Sequence, residues 1–408
     1  MKFIAVLALL GSALNCANAQ TLSQLDASAR AALAVARYSP ETAAVFGRME
    51  VYLRSASPLG LRRFALLGLI TAREMNLAGE WGAYERAASR AGLEPAVVEV
   101  IRQNEPVTEL DPEDALIIDF GRELFRERHV SADTFAALLG TLGRQGLFDA
   151  IMGLAYPAMT GLLERAVGRQ APVDGDQAVL PAQAGVGTPP GRPGDFIGIG
   201  PRPPVPADIY EDSGYRFPLL ERTELNARGR EIFDRLVGTD AVTAPRGPVG
   251  MTLNSPELAE PVQQINTALR VNSVIGRRTS EVVIATTGRE MNSQYQWLVH
   301  GAAAAQNGAG PEVLEAIRDD SDLSGLDDRD AVTITFVREL FREPSVRPET
   351  LAAAVAIFGS RGAIEIAALA GDYLMMTTVY NALGMRLRPD QEPTLPHRAG
   401  APVGAEWR

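Results

Sequence analysis

The chain of 408 residues contains very few of the residues on which metal and redox chemistry depend. It has one cysteine, Cys16, and three histidines. A single cysteine excludes an intramolecular disulfide, a Cys-x-x-Cys redox pair and a cysteine-rich zinc site. Three histidines allow a three-histidine metal site only if all of them converge. These counts therefore disfavour a bound metal.

Lysine is equally scarce, because Lys2 is the only one and arginine supplies nearly all of the positive charge. Acidic residues outnumber basic ones by 50 to 39, which gives a net charge of −11 and disfavours nonspecific binding to nucleic acid or anionic lipid. The sequence also lacks a Gly-x-Gly-x-x-Gly after a strand, a Walker motif and the Gly-x-Ser-x-Gly of serine hydrolases. Nothing in the sequence therefore supports nucleotide binding.

The amino terminus has the pattern of a secretory signal peptide. Lys2 precedes a short apolar run, and Ala17-Asn18-Ala19 forms a small-x-small cleavage site before Gln20. We predict a signal peptide at residues 1–19 and an exported mature chain, periplasmic or secreted, without cysteine. A lipoprotein anchored through Cys16 and a retained anchor are the less favoured alternatives. No later segment approaches 18 uninterrupted apolar residues, so no membrane partner is expected for the mature chain.

The sequence repeats itself at an offset of 216 positions. Arg73-Glu74-Met75-Asn76 recurs as Arg289-Glu290-Met291-Asn292, and thirteen of the thirty positions from 73 to 102 are identical to their counterparts. The register holds downstream, where Arg-Glu-Leu-Phe-Arg-Glu begins at Arg122 and again at Arg338. An ungapped match over about 90 residues predicts two copies of one fold.

The composition sets the boundaries of these copies. We place the first at residues 20–169 and the second at residues 213–388. Between them, residues 170–212 contain nine prolines and are interpreted as a semi-rigid linker. The alternative is that this stretch wraps along the partner repeat. Residues 389–408 are rich in proline, glycine and alanine, and we expect them to form a loose tail.

Both copies have helical patterns. Residues 311–318 begin with proline and carry apolar residues at helical spacing, and residues 327–342 carry an apolar stripe after the cap-like Asp327. No window shows the sustained alternation of a half-buried strand. The sequence therefore predicts two all-α domains. On one helix, Glu339 and Arg342 are expected to form a charge pair three residues apart on a solvated face.

The copies differ most where chemistry could take place. Tyr295-Gln296-Trp297-x-x-His300 corresponds to Gly79-Glu80-Trp81-x-x-Tyr84, and Glu281 corresponds to Ala65. Because Trp297 and His300 are three apart on a predicted helix, we expect their side chains to share a face. An imidazole suits general acid–base catalysis near neutral pH. A core histidine satisfied by one hydrogen bond remains the alternative.

Glu-x₁₈-His, with aromatic residues just before the histidine in a helical duplicate, resembles the carboxymuconolactone decarboxylase family, which includes the alkylhydroperoxidase D-like proteins. In the thiol-peroxidase branch, Glu is followed by Cys-x-His-Cys-x-x-x-His, and the two cysteine positions fall on Ser293 and Gln296. No thiolate is available, so disulfide-cycling peroxide reduction is excluded. Residues 292–300, Asn-Ser-Gln-Tyr-Gln-Trp-Leu-Val-His, look like the non-thiol branch.

The resemblance implies an all-helical unit that usually forms trimers or hexamers, so self-association is expected. It also implies cofactor-independent decarboxylation or lactone conversion of a small oxo-acid or lactone. His300 would supply or relay a proton, and Glu281 would fix the imidazole tautomer and raise its pKa. The first copy, without counterparts of either residue, would be structural.

Four further residues belong to the expected substrate site. Tyr295 would hydrogen-bond the substrate carbonyl and Trp297 would form an apolar wall, with Ser293 and Gln296 beside them. Two alternatives remain open. One is a metal site in which His129 or His397 joins Glu281 and His300, and the other is a non-catalytic helical binding or scaffold protein.

Overall fold

The computed structural model describes residues 35, 37, 39–167, 180, 194–402 and 404–405. The predicted signal peptide lies outside the described residues, as does much of the predicted linker. The described residues form fourteen α-helices and no β-strand, which confirms the all-α prediction.

Six helices form the N-terminal half: α1 (Pro40–Val51), α2 (Gly60–Glu74), α3 (Ala78–Arg90), α4 (Pro95–Gln103), α5 (Pro112–Glu127) and α6 (Ala132–Val167). Two short helices follow: α7 (Ala227–Leu236) and α8 (Pro248–Thr252). Six more form the C-terminal half: α9 (Pro256–Asn266), α10 (Arg277–Glu290), α11 (Gln294–Gln306), α12 (Pro311–Arg318), α13 (Asp328–Arg342) and α14 (Pro348–Ala382). A π-helical turn follows α1 at Tyr52–Ala56 and α9 at Thr267–Val271.

The two halves have matching backbone features at the offset seen in the sequence. Helices α6 and α14 each bend sharply at a glycine, Gly143 (φ 68°, ψ 176°) and Gly359 (φ 71°, ψ 169°). Only glycine adopts this backbone region readily. The residues just after α2 and α10 include left-handed asparagines, Asn76 (φ 53°) and Asn292 (φ 55°). The same positions thus end or bend the helices in both halves.

Ion pairs recur in the same way. Arg62 pairs with Asp114 at 2.7 Å, and their counterparts Arg278 and Asp330 pair at 2.6 Å. The glutamates of the repeated Arg-Glu-Met-Asn motif also each bind an arginine, in pairs Glu74–Arg126 and Glu290–Arg342. Packing and ion pairing therefore account for these repeated residues.

The expected pair between Glu339 and Arg342 is wrong. Glu339 accepts hydrogen bonds from the backbone and side chain of Arg347 and from the Thr350 hydroxyl. Arg342 instead binds Glu290. Helix α13 packs between α10 and α14, so its charged side chains find partners on those neighbours rather than on each other.

The long helices α6 and α14 pack against each other and join the two halves in one hydrophobic core. By length and composition, Ala132–Ala166 and Pro348–Ala382 could also cross a membrane. The most apolar stretch of the first is 100% buried inside the protein, and that of the second is 44% buried. The buried core helices of globular proteins can have the same length and composition, so this finding is weak support for a membrane span.

The tail predicted to be loose is docked on the C-terminal half. Leu395 is fully buried, and Arg398, 1% exposed, binds Glu290 at 2.9 Å and Asp320 at 3.0 Å. Part of the proline-rich segment runs beside the tail, where the Ile197 N–H donates to the His397 carbonyl at 3.0 Å. The described part of that segment therefore lies along the C-terminal half, which was the alternative to a free linker.

Candidate functional site

The structure brings together the two residues that the sequence singled out. Glu281 lies on α10 and His300 on the neighbouring α11, and His300 Nδ1 is 2.7 Å from Glu281 Oε2. The Glu281 side chain is fully buried, whereas that of His300 is 7% exposed. The imidazole is thus the outer member of the pair.

Two arginines that sequence reasoning missed complete this charge cluster. Arg270 Nε lies 2.9 Å and Arg277 Nη2 2.8 Å from Glu281 Oε1. At the repeat offset, Arg277 corresponds to Leu61, so the comparison of copies that identified Glu281 could also have identified this residue. Each carboxylate oxygen therefore has a defined partner: one faces the imidazole and the other the two cations.

Burial and these neighbours decide the protonation states. Burial by itself would raise the pKa of Glu281, but His300 and Arg270 outweigh it and lower that pKa below its ordinary value. Burial lowers the pKa of His300, and Arg270 and Arg277 add to that effect, while Glu281 opposes it without reversing it. The expectation that Glu281 leaves His300 with a raised pKa is therefore wrong, because burial and the arginines prevail.

A lowered pKa leaves His300 neutral at neutral pH. Since Glu281 is ionised and only accepts, the imidazole proton resides on Nδ1 and is donated to Glu281. Nε2 then carries a lone pair, and it has no hydrogen-bond partner among the described residues. The arrangement gives an imidazole that is oriented by a carboxylate and able to accept a proton.

Tyr373 of α14 closes one side of the pair. The His300 ring packs edge-on against the Tyr373 ring, with centroids 4.8 Å apart and an interplanar angle of 81°. The Asn266 amide donates to the Tyr373 hydroxyl at 2.9 Å. Gln296, four residues before His300, donates from Nε2 to the Tyr373 carbonyl at 2.8 Å. Tyr373 and Asn266 were not predicted, whereas Gln296 was.

The other predicted substrate residues divide into two groups. Tyr295 is half-buried, and its ring packs edge-on against Tyr380 with centroids 5.3 Å apart. Trp297 points elsewhere: its indole N–H donates to Thr394 Oγ1 at 3.0 Å, and its ring belongs to a separate apolar cluster with Leu395. Trp297 therefore contacts the docked tail, whereas His300 contacts Glu281 and Tyr373.

Ser293 has a structural place. It is the N-cap residue of α11, and its hydroxyl accepts from the Gln296 backbone N–H at 3.4 Å. N-cap serines satisfy the free N–H groups of a first helical turn. This contact gives Ser293 a structural role at the start of α11.

Asp372 is a second buried carboxyl group that sequence reasoning missed. It is fully buried beside Tyr373, and neither of its oxygens accepts a hydrogen bond from the described residues. Burial raises its pKa to about 7, although the nearby Asn266 amide and Arg270 oppose that rise. Its counterpart in the first copy is Tyr156. The comparison of copies could therefore have identified Asp372, because an aspartate replaces a tyrosine within an apolar run.

In the N-terminal half, the corresponding place is filled by Tyr84. Its ring lies directly over Gly68, where a Cβ atom would come within 2.1 Å of Tyr84 Cδ1. Phe64 packs edge-on against the same ring at 5.9 Å. With Ala65 in place of a carboxylate, this half holds an apolar contact where the C-terminal half holds the glutamate–histidine pair.

The remaining histidines do not join that pair. His129 Nε2 lies 3.4 Å from the Arg216 guanidinium, and His397 lies in the docked tail near Arg289, where burial lowers its pKa to about 4. Across the described ranges, no three His, Cys, Asp or Glu side chains group in a way that could hold a metal ion.

Comparison of the chain with protein-family models, curated proteins and solved structures found no match. Any assignment of family or function depends on the residues of this chain alone.

Proposed function

We propose that the chain is a tandem duplication of a carboxymuconolactone decarboxylase-like helical unit, with a catalytic C-terminal half and a structural N-terminal half. The recurrence of helix ends, glycine bends and ion pairs at one offset supports the duplication. The exported location and the self-association predicted from the sequence remain parts of this proposal.

The catalytic half performs cofactor-independent acid–base chemistry on a small lactone or oxo-acid, by decarboxylation or lactone conversion. The observation that carries this proposal is the 2.7 Å contact between Glu281 and a neutral His300 whose Nε2 has no partner among the described residues. An oriented neutral imidazole is a general base. In lactone conversion, His300 Nε2 takes a proton from a carbon next to the carbonyl, the carbonyl oxygen takes the electron pair of that C–H bond, and Glu281 stabilises the imidazolium until the proton returns to another carbon of the enolate. In decarboxylation, the C–C bond to the carboxylate breaks, CO₂ leaves, the carbonyl takes the electron pair, and His300 delivers to the carbon a proton that Nε2 has taken from water.

The alternative is a non-catalytic helical binding or scaffold protein. The close packing of Tyr373 on His300 and the structural contacts of Ser293 and Trp297 favour it. The two functions differ in whether removal of the imidazole changes a reaction rate.

Replacement of His300 tests the proposal. General acid–base catalysis contributes about 10²–10⁴-fold, so His300→Ala should lower turnover of a lactone or oxo-acid substrate by that factor. Tyr84→Phe, at the matching position of the other half, should leave turnover unchanged. A purified His300→Ala protein that retains the full rate, measured by loss of substrate in a spectrophotometric or NMR assay, would show that His300 is not the base.

A further inference from the structure

Three hydrogen-bond acceptors surround Tyr373, and no described residue satisfies them. They are His300 Nε2, Gln296 Oε1 and the carboxyl group of Asp372, here called the acceptor cluster. Gln296 and Asp372 are fully buried, and His300 is 5% exposed.

The backbone geometry places these groups together. Gln296 and His300 lie four residues apart on α11 and so share a face. Both contact Tyr373, one through its carbonyl and the other through its ring, and Asp372 is the next residue on α14. The orientation of the Gln296 amide is fixed because its nitrogen must face the Tyr373 carbonyl, which leaves Oε1 as the free acceptor.

A buried acceptor without a donor destabilises the folded protein, so a group left in that state is explained by a donor from outside the chain. Other buried carboxyl groups among the described residues accept at least one hydrogen bond, and Asp149, which has no donor at Oδ1, accepts from Tyr52 and Ser57 at Oδ2. Glu365, on the same helix as Asp372, accepts from Ser273, from the Val274 backbone and from Arg361. Among the described carboxyl groups, Asp372 therefore differs in that both of its buried oxygens lack a donor.

The described part of the N-terminal half has different residues at these positions. The counterpart of Asp372 is Tyr156, whose hydroxyl donates to the Phe46 carbonyl at 3.2 Å. The counterpart of Gln296 is Glu80, whose Oε1 accepts from the Thr160 hydroxyl at 3.1 Å. At the position of Asp372, only the C-terminal half has a buried carboxyl group without a donor among the described residues.

We propose that the acceptor cluster binds hydroxyl groups, so that the substrate of the C-terminal half is a hydroxylated small molecule. The cluster holds two hydroxyls against Gln296 and Asp372 while His300 faces the reacting proton. A hydroxyl group both donates and accepts, so it satisfies Asp372 in either protonation state. This inference rests on the proposed function for the reaction and narrows its substrate class.

The test compares two lactones that differ only in hydroxyl groups, D-erythronolactone and γ-butyrolactone. Binding to the full-length protein is measured by NMR titration. Two added hydrogen bonds should make the dihydroxylated lactone bind about tenfold more tightly. Equal binding of the two lactones, or binding of neither, overturns the proposal whatever the variants do.

Variants then show which residues cause the tighter binding of the dihydroxylated lactone. Asp372→Leu and Gln296→Met should each reduce it to about twofold or less, whereas Tyr156→Phe, the matching change in the N-terminal half, should preserve it. A preference that survives both C-terminal changes contradicts the proposal.

Thermal stability separates a ligand role from a structural one. Asp372→Leu removes no hydrogen bond of normal geometry among the described residues, because the nearby Asn266 amide donates to the Tyr373 hydroxyl instead, so the Tm should stay equal or rise. Glu365→Gln weakens satisfied bonds and should lower the Tm by about 3 °C. If Asp372→Leu lowers the Tm as much as Glu365→Gln does, Asp372 has a structural donor such as an ordered water and the proposal fails. Turnover is not part of these measurements, so hydroxyl preference without turnover would contradict the proposed function alone.

Discussion

The N-terminal and C-terminal halves place different chemistry at the same point of the same helical arrangement. Around Tyr84, the first half has Gly68, Phe64 and Ala65, and the aromatic ring fills the space. Around His300, the second half has Glu281 and two arginines that balance its charge. The comparison shows that the fold does not require the glutamate–histidine pair. The difference at this position is the one on which the proposed function depends.

The largest difference in stability is expected at the glutamate of the repeated motif. Glu290 is fully buried between Arg342 and Arg398, whereas Glu74 pairs with Arg126, which is 37% exposed. Removal of a buried carboxylate leaves its cations unpaired, so Glu290→Gln should cost about 3 kcal/mol. Glu74→Gln should cost about 1 kcal/mol, because solvent screens its partner. Urea unfolding of both variants measures the difference, and equal costs would show that the tail adds nothing.

The same glutamate predicts a pH dependence. Burial alone would raise the pKa of Glu290, but Arg398 and Arg342 lower it to about 2, from an ordinary value of 4.5. A lowered pKa in the folded state means that the contribution to stability is present above the unfolded pKa. Wild-type protein should lose that contribution as the pH falls from about 4.5 toward 2, and Glu290→Gln should not.

A smaller effect on stability is expected at Gly68, where the Tyr84 ring fills the space in the first half. Gly68→Ala drives a methyl group into the Tyr84 ring, and overpacking of this kind costs about 1–3 kcal/mol. In a Tyr84→His background the ring is smaller, so the same change should cost less than half as much. Thermal unfolding of the two single variants and the double variant gives the coupling. Additive costs would mean that the Tyr84 ring does not fill the space beside Gly68, where the C-terminal half has the glutamate–histidine pair.

The smallest effects should be alike in the two halves. Arg62 and Arg278 each form a bidentate pair with an aspartate, and their side chains are 37% and 29% exposed. Partly exposed pairs contribute about 0.5–1 kcal/mol, so Arg62→Met and Arg278→Met should have similar costs in that range. Chemical denaturation of both variants measures the loss in free energy of unfolding. A markedly larger loss for one variant would show that the two ion pairs are not equivalent.

The sequence predicted best those features that depend on neighbouring residues or that differ between the two copies. Helix periodicity and caps predicted α12 at its observed bounds, and the comparison of copies identified Glu281 and His300. The docking of Arg398 was not predictable, since its partners Glu290 and Asp320 are distant in sequence and the tail composition resembles that of a free terminus. The same docking gives Trp297 a hydrogen-bond partner, Thr394, that helical spacing could not predict.

The direction of the His300 pKa was missed for a related reason. The sequence showed one carboxylate, which raises a histidine pKa, but not the degree of burial or the two arginines, which lower it. Asp372 was missed because a single aspartate in a long apolar helix has no periodic pattern. Its lack of partners becomes visible only when α11 and α14 are placed side by side.

The central claim is that His300 is a neutral base oriented by Glu281, and ¹⁵N NMR of histidine-labelled protein tests it most directly. The signals are assigned by their loss in His300→Gln, and the ring is followed from pH 5 to 8. The account predicts an Nδ1–H tautomer at pH 7 with an unprotonated Nε2, and a titration midpoint below 6.5. An imidazolium at pH 7, or a neutral ring protonated at Nε2, would contradict the account.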